Sequence, residues 1–254
     1  MIIDNSLQAD LVYRYRKAEK RLVLLDYDGT LVEYKPKPAQ AIPSAPLLSV
    51  LRELAMAEGT ELIIITGRDH HDIEELLGSL PVNIIAGHGA MKKANGVWIK
   101  RASENVSWKG AVMPILKEMS LKCAESFIED KHFSLAWHYR NAGHNSGFEY
   151  SRELIHMVGN LLVPLELKIL DGNKVVEIMN KEIGKGIAVR NLMDGKESDF
   201  VLSIGDDVTD EEVFELFVSD DKAVTIKVGC GKSLAGYSFN SVSDVVLFLK
   251  LLSE

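Results

Sequence analysis

The chain has 254 residues with a hydrophobic fraction of 46%, enough for one large α/β domain or for a core with a smaller insert. A net charge of −8 and a pI near 5.5 argue against nucleic acid, whose binding rests on clustered Lys and Arg. No apolar run reaches the length of a membrane span and no secretory signal opens the chain, while Cys123 and Cys230 are isolated thiols without metal-ligand spacing, which fits a reducing, cytoplasmic setting with no membrane partner.

The basic cluster from Arg14 to Arg21 falls in a predicted helix and reads as a solvated face. Residues 22–25 then form a continuous apolar run that ends in Asp26-Tyr27-Asp28-Gly29-Thr30. Such a run marks a strand buried on both faces, as in a parallel sheet. A helix is predicted after Ser44 and Pro46, with Leu47, Leu48, Leu51 and Leu54 on one face and Gly59 past its end. Residues 62–65 form a second strand, ending in Thr66-Gly67-Arg68, and a helix over 69–77 closes at Gly78. Residues 82–85 form a third, ending in Ala86-Gly87-His88-Gly89. Strand-helix alternation of this kind builds a parallel sheet with helices on its faces.

The middle of the chain departs from that rhythm. A helix over 108–119 is followed by β-rich segments at 126–130 and 133–140, a helix over 150–161, and strands at 165–170 and 174–179 flanking Asp171-Gly172-Asn173, a strong hairpin signal. The pattern is helix-hairpin-helix-hairpin, a small α+β insert with one sheet face open to a ligand. The parallel pattern resumes with the helix after Lys185 and the strand at 200–204, ending in Gly205-Asp206-Asp207.

Ligands of open α/β sheets sit beyond the carboxyl ends of the strands, and the polar residues cluster there. If extended backbone persists past Leu25, Asp26 and Asp28 point to one side. Two carboxylates suit a hard cation such as Mg²⁺, covalent attack on phosphorus, or both; the bland alternative is an Asx turn ending a strand. Phosphoryl transfer needs a nucleophile, neutralised phosphoryl oxygens and a proton for the leaving group. Asp26 can attack, and Asp28 can protonate the leaving oxygen provided its surroundings keep it protonated. A Mg²⁺ site can be drawn from Asp26, residue 28 (Asp28), Asp206 and Asp207. Thr66 offers a hydroxyl and, with Gly67, backbone N–H groups to phosphate, and Lys185 stands at a helix start where anions bind. Each has a structural alternative: Thr66-Gly67-Arg68 as a plain loop, Gly184-Lys185-Gly186 as a tight helix entry, and residues 209–212 as a capping box. Gly229-Cys230-Gly231-Lys232-Ser233 lacks the first glycine of a nucleotide-binding loop, Ile226 standing in its place. His132, His138 and His144 show no ligand spacing.

The order Asp26-x-Asp28-Gly29-Thr30, Thr66-Gly67-Arg68, Lys185, Gly205-Asp206-Asp207-x-Thr209-Asp210 resembles the haloacid dehalogenase superfamily of phosphatases. Residues 205–214 (GDDVTDEEVF), 24–32 (LLDYDGTLV), 126–140 (SFIEDKHFSLAWHYR) and 173–178 (NKVVEI) are similar to trehalose-6-phosphate phosphatases, above all to the phosphatase half of proteins fused to the synthase. The resemblance implies a Rossmann-like α/β core with a parallel sheet over residues 1–105 and 181–254, interrupted by an α+β cap at 106–180 that closes over the sugar. It implies Asp26 as a nucleophile forming an aspartyl phosphate, Asp28 as general acid then base, Thr66 and Lys185 on phosphate, and Mg²⁺ on Asp206 and Asp26. Glu129, Lys131 and Glu177 are then the contacts to glucose hydroxyls, with Arg140 and His138 in the same motif. The implied substrate is trehalose 6-phosphate, and a trehalose-6-phosphate synthase domain or protein is the implied partner. Rival expectations keep the chemistry on another sugar phosphate, such as sucrose 6-phosphate, or make the chain a non-catalytic sensor. The sequence departs from the family's pattern at Gly87, where a glutamate is usual, at Gly184, where an asparagine is common, and along 179–183.

Overall fold

The computed structural model describes residues 1–101 and 105–254, apart from the side chains of residues 144 and 145. Helix α1 (Asn5–Lys17) starts on an Asp4 cap and leads into β1 (Arg21–Leu25). Then come α2 (Ala45–Met56), β2 (Thr60–Ile65), α3 (His70–Leu77), β3 (Asn83–Ala86), and the hairpin of β4 (Met91–Ala94) and β5 (Val97–Lys100). The middle segment holds α4 (Lys109–Lys122), β6 (Phe127–Asp130), β7 (Ser134–His138), α5 (His144–Leu162), β8 (Leu167–Gly172) and β9 (Val175–Asn180). The last runs through α6 (Lys185–Met193), β10 (Phe200–Gly205), α7 (Val208–Leu216), β11 (Ala223–Val228), β12 (Tyr237–Phe239) and α8 (Val242–Ser253). These elements form two compact units, Met1–Arg101 with Gly184–Glu254, and Ala102–Ile183. The expected boundary at 105/106 abuts residues 102–104, which lie outside the described residues, as does the side chain of His144.

In the first unit eight strands run in the order β12-β11-β10-β1-β2-β3-β4-β5. All pairings are parallel except β3 with β4 and β4 with β5. β1 lies between β2, which follows it, and β10, which the chain reaches only much later, so the strand order changes direction beside β1. That is where an open α/β sheet leaves a crevice. The alternation of β1 explains its uninterrupted apolar sequence. Val23 and Leu25 enter one cluster with Leu11, Leu51, Ile73 and Phe248, from α1, α2, α3 and α8. Leu22 and Leu24 enter another with Val189, Leu192, Val213 and Phe217, from α6 and α7 and the turn after it. A strand covered on both faces has no polar side to show.

The second unit is an antiparallel sheet in the order β6-β7-β9-β8. One face packs Leu135, Trp137, Val176 and Ile178 against Val112, Leu116, Leu154 and Val158 of α4 and α5. The predicted hairpin forms, but its turn sits later than Asp171-Gly172 suggests. β8 continues to Gly172, which pairs with Val175, and Lys174 takes the left-handed backbone at φ 61°. Helix α5 also begins before the predicted Tyr150, reaching back to His144.

Because this unit has its own apolar cluster, its stability is separable. Trp137 is fully buried, stacks on Tyr139 and donates its indole N–H to Ser120 Oγ at 3.1 Å. Trp137→Ala should cost about 3–5 kcal/mol. Amide hydrogen exchange should then accelerate in β6–β9 while β1, β2 and β10 stay protected; equal acceleration in both sheets would mean that the two clusters melt as one.

Candidate active site

Alternation along β1 turns Asp26 toward the face covered by α6 and α7, and its N–H still bonds to Ile204 O at 3.0 Å. There it meets Lys185, the first residue of α6, whose Nζ lies 2.6 Å from Asp26 Oδ1 and 2.9 Å from Asp210 Oδ1. All three are buried. Burial alone would favour a neutral lysine, yet Asp210 and Asp26 outweigh it and hold the ammonium above the ordinary lysine range. For Asp26 burial is the stronger influence: it raises the carboxyl, against the pull of Lys185 and with the help of Asp210 and Asp206.

Asp210 ties the far side together. Its Oδ2 accepts from the N–H groups of Asp206 and Asp207, both at 3.1 Å. This sets the capping box of α7 on Asp207 and Asp210, not on residues 209–212 as the sequence suggests. The Asp207 carboxylate is thereby engaged as the N-cap, accepting from Val208 N–H at 2.8 Å. Asp206 receives Thr30 Oγ1 at 3.5 Å and the hydroxyl of Tyr34, while Lys227 donates to its main-chain carbonyl. Two glycines make this crowding possible. A Cβ on Gly29 (φ +83°) would stand 2.3 Å from Asp206 Oδ2, and one on Gly205 would stand 2.1 Å from Asp210 Cγ.

Asp28 has a different environment. Strand pairing by β1 ends at Leu25, and the chain turns, with Leu31 N–H and Val32 N–H both bonded to Tyr27 O. Asp28 takes a two-point ion pair from Arg68, Nε to Oδ2 and Nη2 to Oδ1, each at 2.7 Å. Thr66 is buried at the end of β2, and its Oγ1 accepts from Arg68 N–H at 3.1 Å; a hydroxyl that accepts in this way can still donate. Gly67 lies against His88, whose imidazole a Cβ would meet at 2.4 Å. His88 is held by a turn in which Gly87, where the family usually has glutamate, takes the left-handed φ of 56°.

Among the described residues, Asp26, Asp206 and Asp210 each offer an oxygen within 4.8 Å of the others. Of the four expected metal residues the structure thus gathers Asp26 and Asp206, adds Asp210, and shows Asp28 on Arg68 and Asp207 on the helix cap. The set fits a hard divalent cation. Asp26 and Asp206 offer oxygen donors, Asp210 adds negative charge behind them although its own oxygens are engaged by Lys185 and the 206–207 N–H groups, and Gly29 leaves the room beside Asp206 that a side chain would fill. The sequence places Asp210 in the Gly205–Asp210 motif and in a capping box but assigns it no part in the site, and it pairs neither Tyr34 with Asp206 nor Arg68 with Asp28.

In the second unit Glu129, Ala136 and Glu177 are cross-strand neighbours in one row of the sheet. Lys131 Nζ lies 3.0 Å from Glu177 Oε1, and Ser134 donates to the same oxygen. Glu129 Oε2 meets His138 Nε2 at 2.7 Å, and His138 stacks on Phe127. Burial works to raise Glu129, but His138 and Lys131 hold its carboxyl below the ordinary value. Ala136 leaves only a methyl group between the two glutamates. Arg140 donates to Asn173 O at the β8–β9 turn, the other end of β7 from Ser134.

A doubly covered, mostly parallel sheet with carboxylates at the ends of β1 and β10 and a lysine opening α6 defines a class. The architecture is that of a haloacid-dehalogenase-like hydrolase from Bacillus subtilis, with a TM-score of 0.58 at 16% identity over 91% of this chain and 98% of that one, a likeness of fold. The profile of the trehalose-phosphatase family matches residues 24–243, so the chain belongs to that family. It is 39% identical over 224 residues to a bifunctional trehalose-6-phosphate synthase/phosphatase of Thermoproteus tenax, covering 88% of this chain and 30% of that protein. It is 32% identical over 228 residues to a trehalose-phosphatase of Saccharomyces cerevisiae, covering 80% of this chain and 25% of that one. The C-terminal domain of the trehalose-6-phosphate phosphatase of Candida albicans superposes with a TM-score of 0.92 at 28% identity, covering 99% and 97% of the two chains. The chain therefore spans about a quarter to a third of the length of these curated relatives.

Burial, Asp210 and Asp207 push the Asp206 carboxyl up from the usual 3.8 to about 7, with Tyr34 and Lys185 opposing. A carboxyl raised this way binds its proton more tightly when folded than when unfolded. The metal-free fold therefore loses stability from this group as pH climbs from about 4 through about 7. A divalent cation must displace that proton. Mg²⁺ should accordingly raise the unfolding temperature more at about pH 8 than at about pH 5.5, measured against chelator-treated protein; an equal shift at both would remove Asp206 from metal binding.

Proposed function

We propose that this chain is a Mg²⁺-dependent phosphatase that hydrolyses trehalose 6-phosphate to trehalose and inorganic phosphate. The observation that carries the reading is the buried Lys185 ammonium joining Asp26 to Asp210, where β1 meets the first turns of α6 and α7. It sets a cation beside a carboxylate at the sheet crevice, the pairing that an incoming phosphoryl group requires.

Asp26 attacks phosphorus in line, the bond from phosphorus to the sugar oxygen breaks, and Asp28, having first taken up a proton from solvent, delivers it to that oxygen. Asp28, now a base, takes a proton from water, which attacks the aspartyl phosphate and restores Asp26. Lys185 and the Thr66 hydroxyl, with the N–H of Gly67, hold the phosphoryl oxygens. Asp26 and Asp206 with the main chain of residue 28 would ligate Mg²⁺, Asp210 fixing them from behind through its hold on Lys185 and the 206–207 backbone; Asp207 supports the site by capping α7. Mg²⁺ supplies neutralisation of charge on the transferring group. The sheet face of the second unit supplies sugar recognition, its Glu129, Lys131 and Glu177 presenting charged hydrogen-bonding groups to glucose hydroxyls, with Arg140 toward the turn end. A trehalose-6-phosphate synthase, as a separate protein or a fused domain, is the source of the substrate. The cytoplasm is the compartment that two unpaired thiols suit.

Phosphate release from a panel of sugar phosphates, with Mg²⁺ and with chelator, tests the reading. Metal-dependent preference for trehalose 6-phosphate is expected; turnover of a different sugar phosphate would reassign the substrate, and binding without turnover would make the chain a sensor. Asp26→Asn should abolish turnover with the fold intact by circular dichroism. Glu177→Ala should lower kcat/KM on trehalose 6-phosphate by about 10- to 100-fold, the worth of one charged hydrogen bond, and spare a small phosphate ester. Equal losses on both esters would take Glu177 out of sugar recognition.

A further inference from the structure

Arg68 is held from several directions before it reaches Asp28. It is 6% exposed, its Nη2 also donates to Pro38 O at 2.8 Å, and its Cζ lies 4.9 Å from the centroid of the Tyr27 ring. Tyr27 is itself fixed, its hydroxyl donating to Ala41 O at 3.0 Å. Asp28 by contrast stands on a turn with its side chain 28% exposed. A carboxylate so placed samples several staggered rotamers, and a two-point fork selects one of them and fixes its plane. The Thr66 hydroxyl oxygen accepts from the N–H of this same arginine, so the phosphate-facing turn and the grip on Asp28 are one piece of backbone.

We propose that Arg68 is a positioning residue for proton transfer: its guanidinium fork holds the Asp28 carboxyl group where it can reach the leaving oxygen. This rests on the reading of Asp28 as the proton donor given above. Arg68 acts only through Asp28, on whose carboxyl oxygens its two fork bonds fall. Lysine cannot replace it, because a point charge fixes neither the plane nor the second oxygen.

Such a role has a signature that a merely structural arginine lacks. A sugar alkoxide needs a proton to depart, whereas para-nitrophenolate leaves without one. kcat/KM reports only the steps through cleavage of that bond, so hydrolysis of the aspartyl phosphate does not enter. The experiment measures kcat/KM on trehalose 6-phosphate and para-nitrophenyl phosphate for wild type, Arg68→Lys, Arg68→Met, Asp28→Ala and the Asp28→Ala/Arg68→Met double variant. The ratio of sugar ester to aryl ester should fall about 30-fold in Arg68→Met and nearly as far in Arg68→Lys. In the double variant Arg68→Met should add less than about threefold to the loss from Asp28→Ala. Equal losses on both esters, restoration of the ratio by lysine, or multiplicative losses in the double variant would each overturn the proposal. If Arg68→Met fails to fold, Arg68→Lys decides. If the wild type prefers another sugar phosphate, the substrate reading falls and the same ratios on that ester judge Arg68; a wild type that cleaves neither ester overturns both.

Discussion

The first unit is organised around one buried ammonium. Lys185 brings together residues distant in sequence: Asp26 at the end of β1 and Asp210 in the first turn of α7, with its own helix α6 between them in the chain. A buried charge without partners is strongly unfavourable, and two carboxylates side by side repel. Each therefore makes the others tolerable. Asp210 passes the constraint on through its second oxygen to the N–H groups of Asp206 and Asp207. The loop after β10 thus takes its shape from the same charge that faces Asp26. The glycines at 29 and 205 follow from this, since a methyl group at either would occupy the space of a carboxylate.

What the sequence makes legible here depends on where the physical cause lies. Strands β1, β2, β3 and β10 are readable because helices cover both faces and their sequences are apolar runs, broken in β10 by the buried Ser203. The β8–β9 hairpin is readable from Asp171-Gly172, though pairing carries the strand to Gly172 and puts Lys174 in the left-handed position. The β4–β5 hairpin carries an equally strong signal in Asn95-Gly96, both left-handed at φ 50° and 78°, which the expectations above did not include; the burial of Lys93 beside it has no such signature. Lys93 is buried only because it pairs with Glu74 of α3, whose other contact is the indole N–H of Trp98, and no local pattern announces a contact across that distance. At the site, the residue types and their order were visible, but the choice of partner was not. That Asp28 belongs to Arg68, and that Asp210 belongs to Lys185, are consequences of tertiary packing. The competing frames for the α7 capping box show the same thing, since residues 207–210 and 209–212 both satisfy the pattern and the pull of Asp210 on the 206–207 backbone decides between them.

The polar sheet face of the second unit is built on a similar economy of partners. Glu177 holds Lys131 and Ser134, and Glu129 holds His138, so each carboxylate is oriented before any ligand arrives. Between them Ala136 keeps the floor low. Oriented groups lose less entropy on binding than flexible ones, and a small residue between two acids would leave room for the sugar ring proposed for this face. The opposite face, with Trp137 and Leu135 at its centre, supplies the rigidity that such orientation requires.

Among the described residues, the apolar cluster of the second unit shares none with the clusters that pack the eight-stranded sheet. Substitutions that reshape the face around Glu129 and Glu177 therefore change side chains whose packing neighbours are local to residues 105–183. Drift in ligand preference can accumulate there without loosening the packing beneath Asp26. The carboxylate-bearing sheet, conversely, can be held constant while its inserted companion diversifies. With the roles proposed for the two units, a fold divided this way separates the inheritance of a reaction from the inheritance of a preference, and lineages can explore new substrates at little risk to the chemistry.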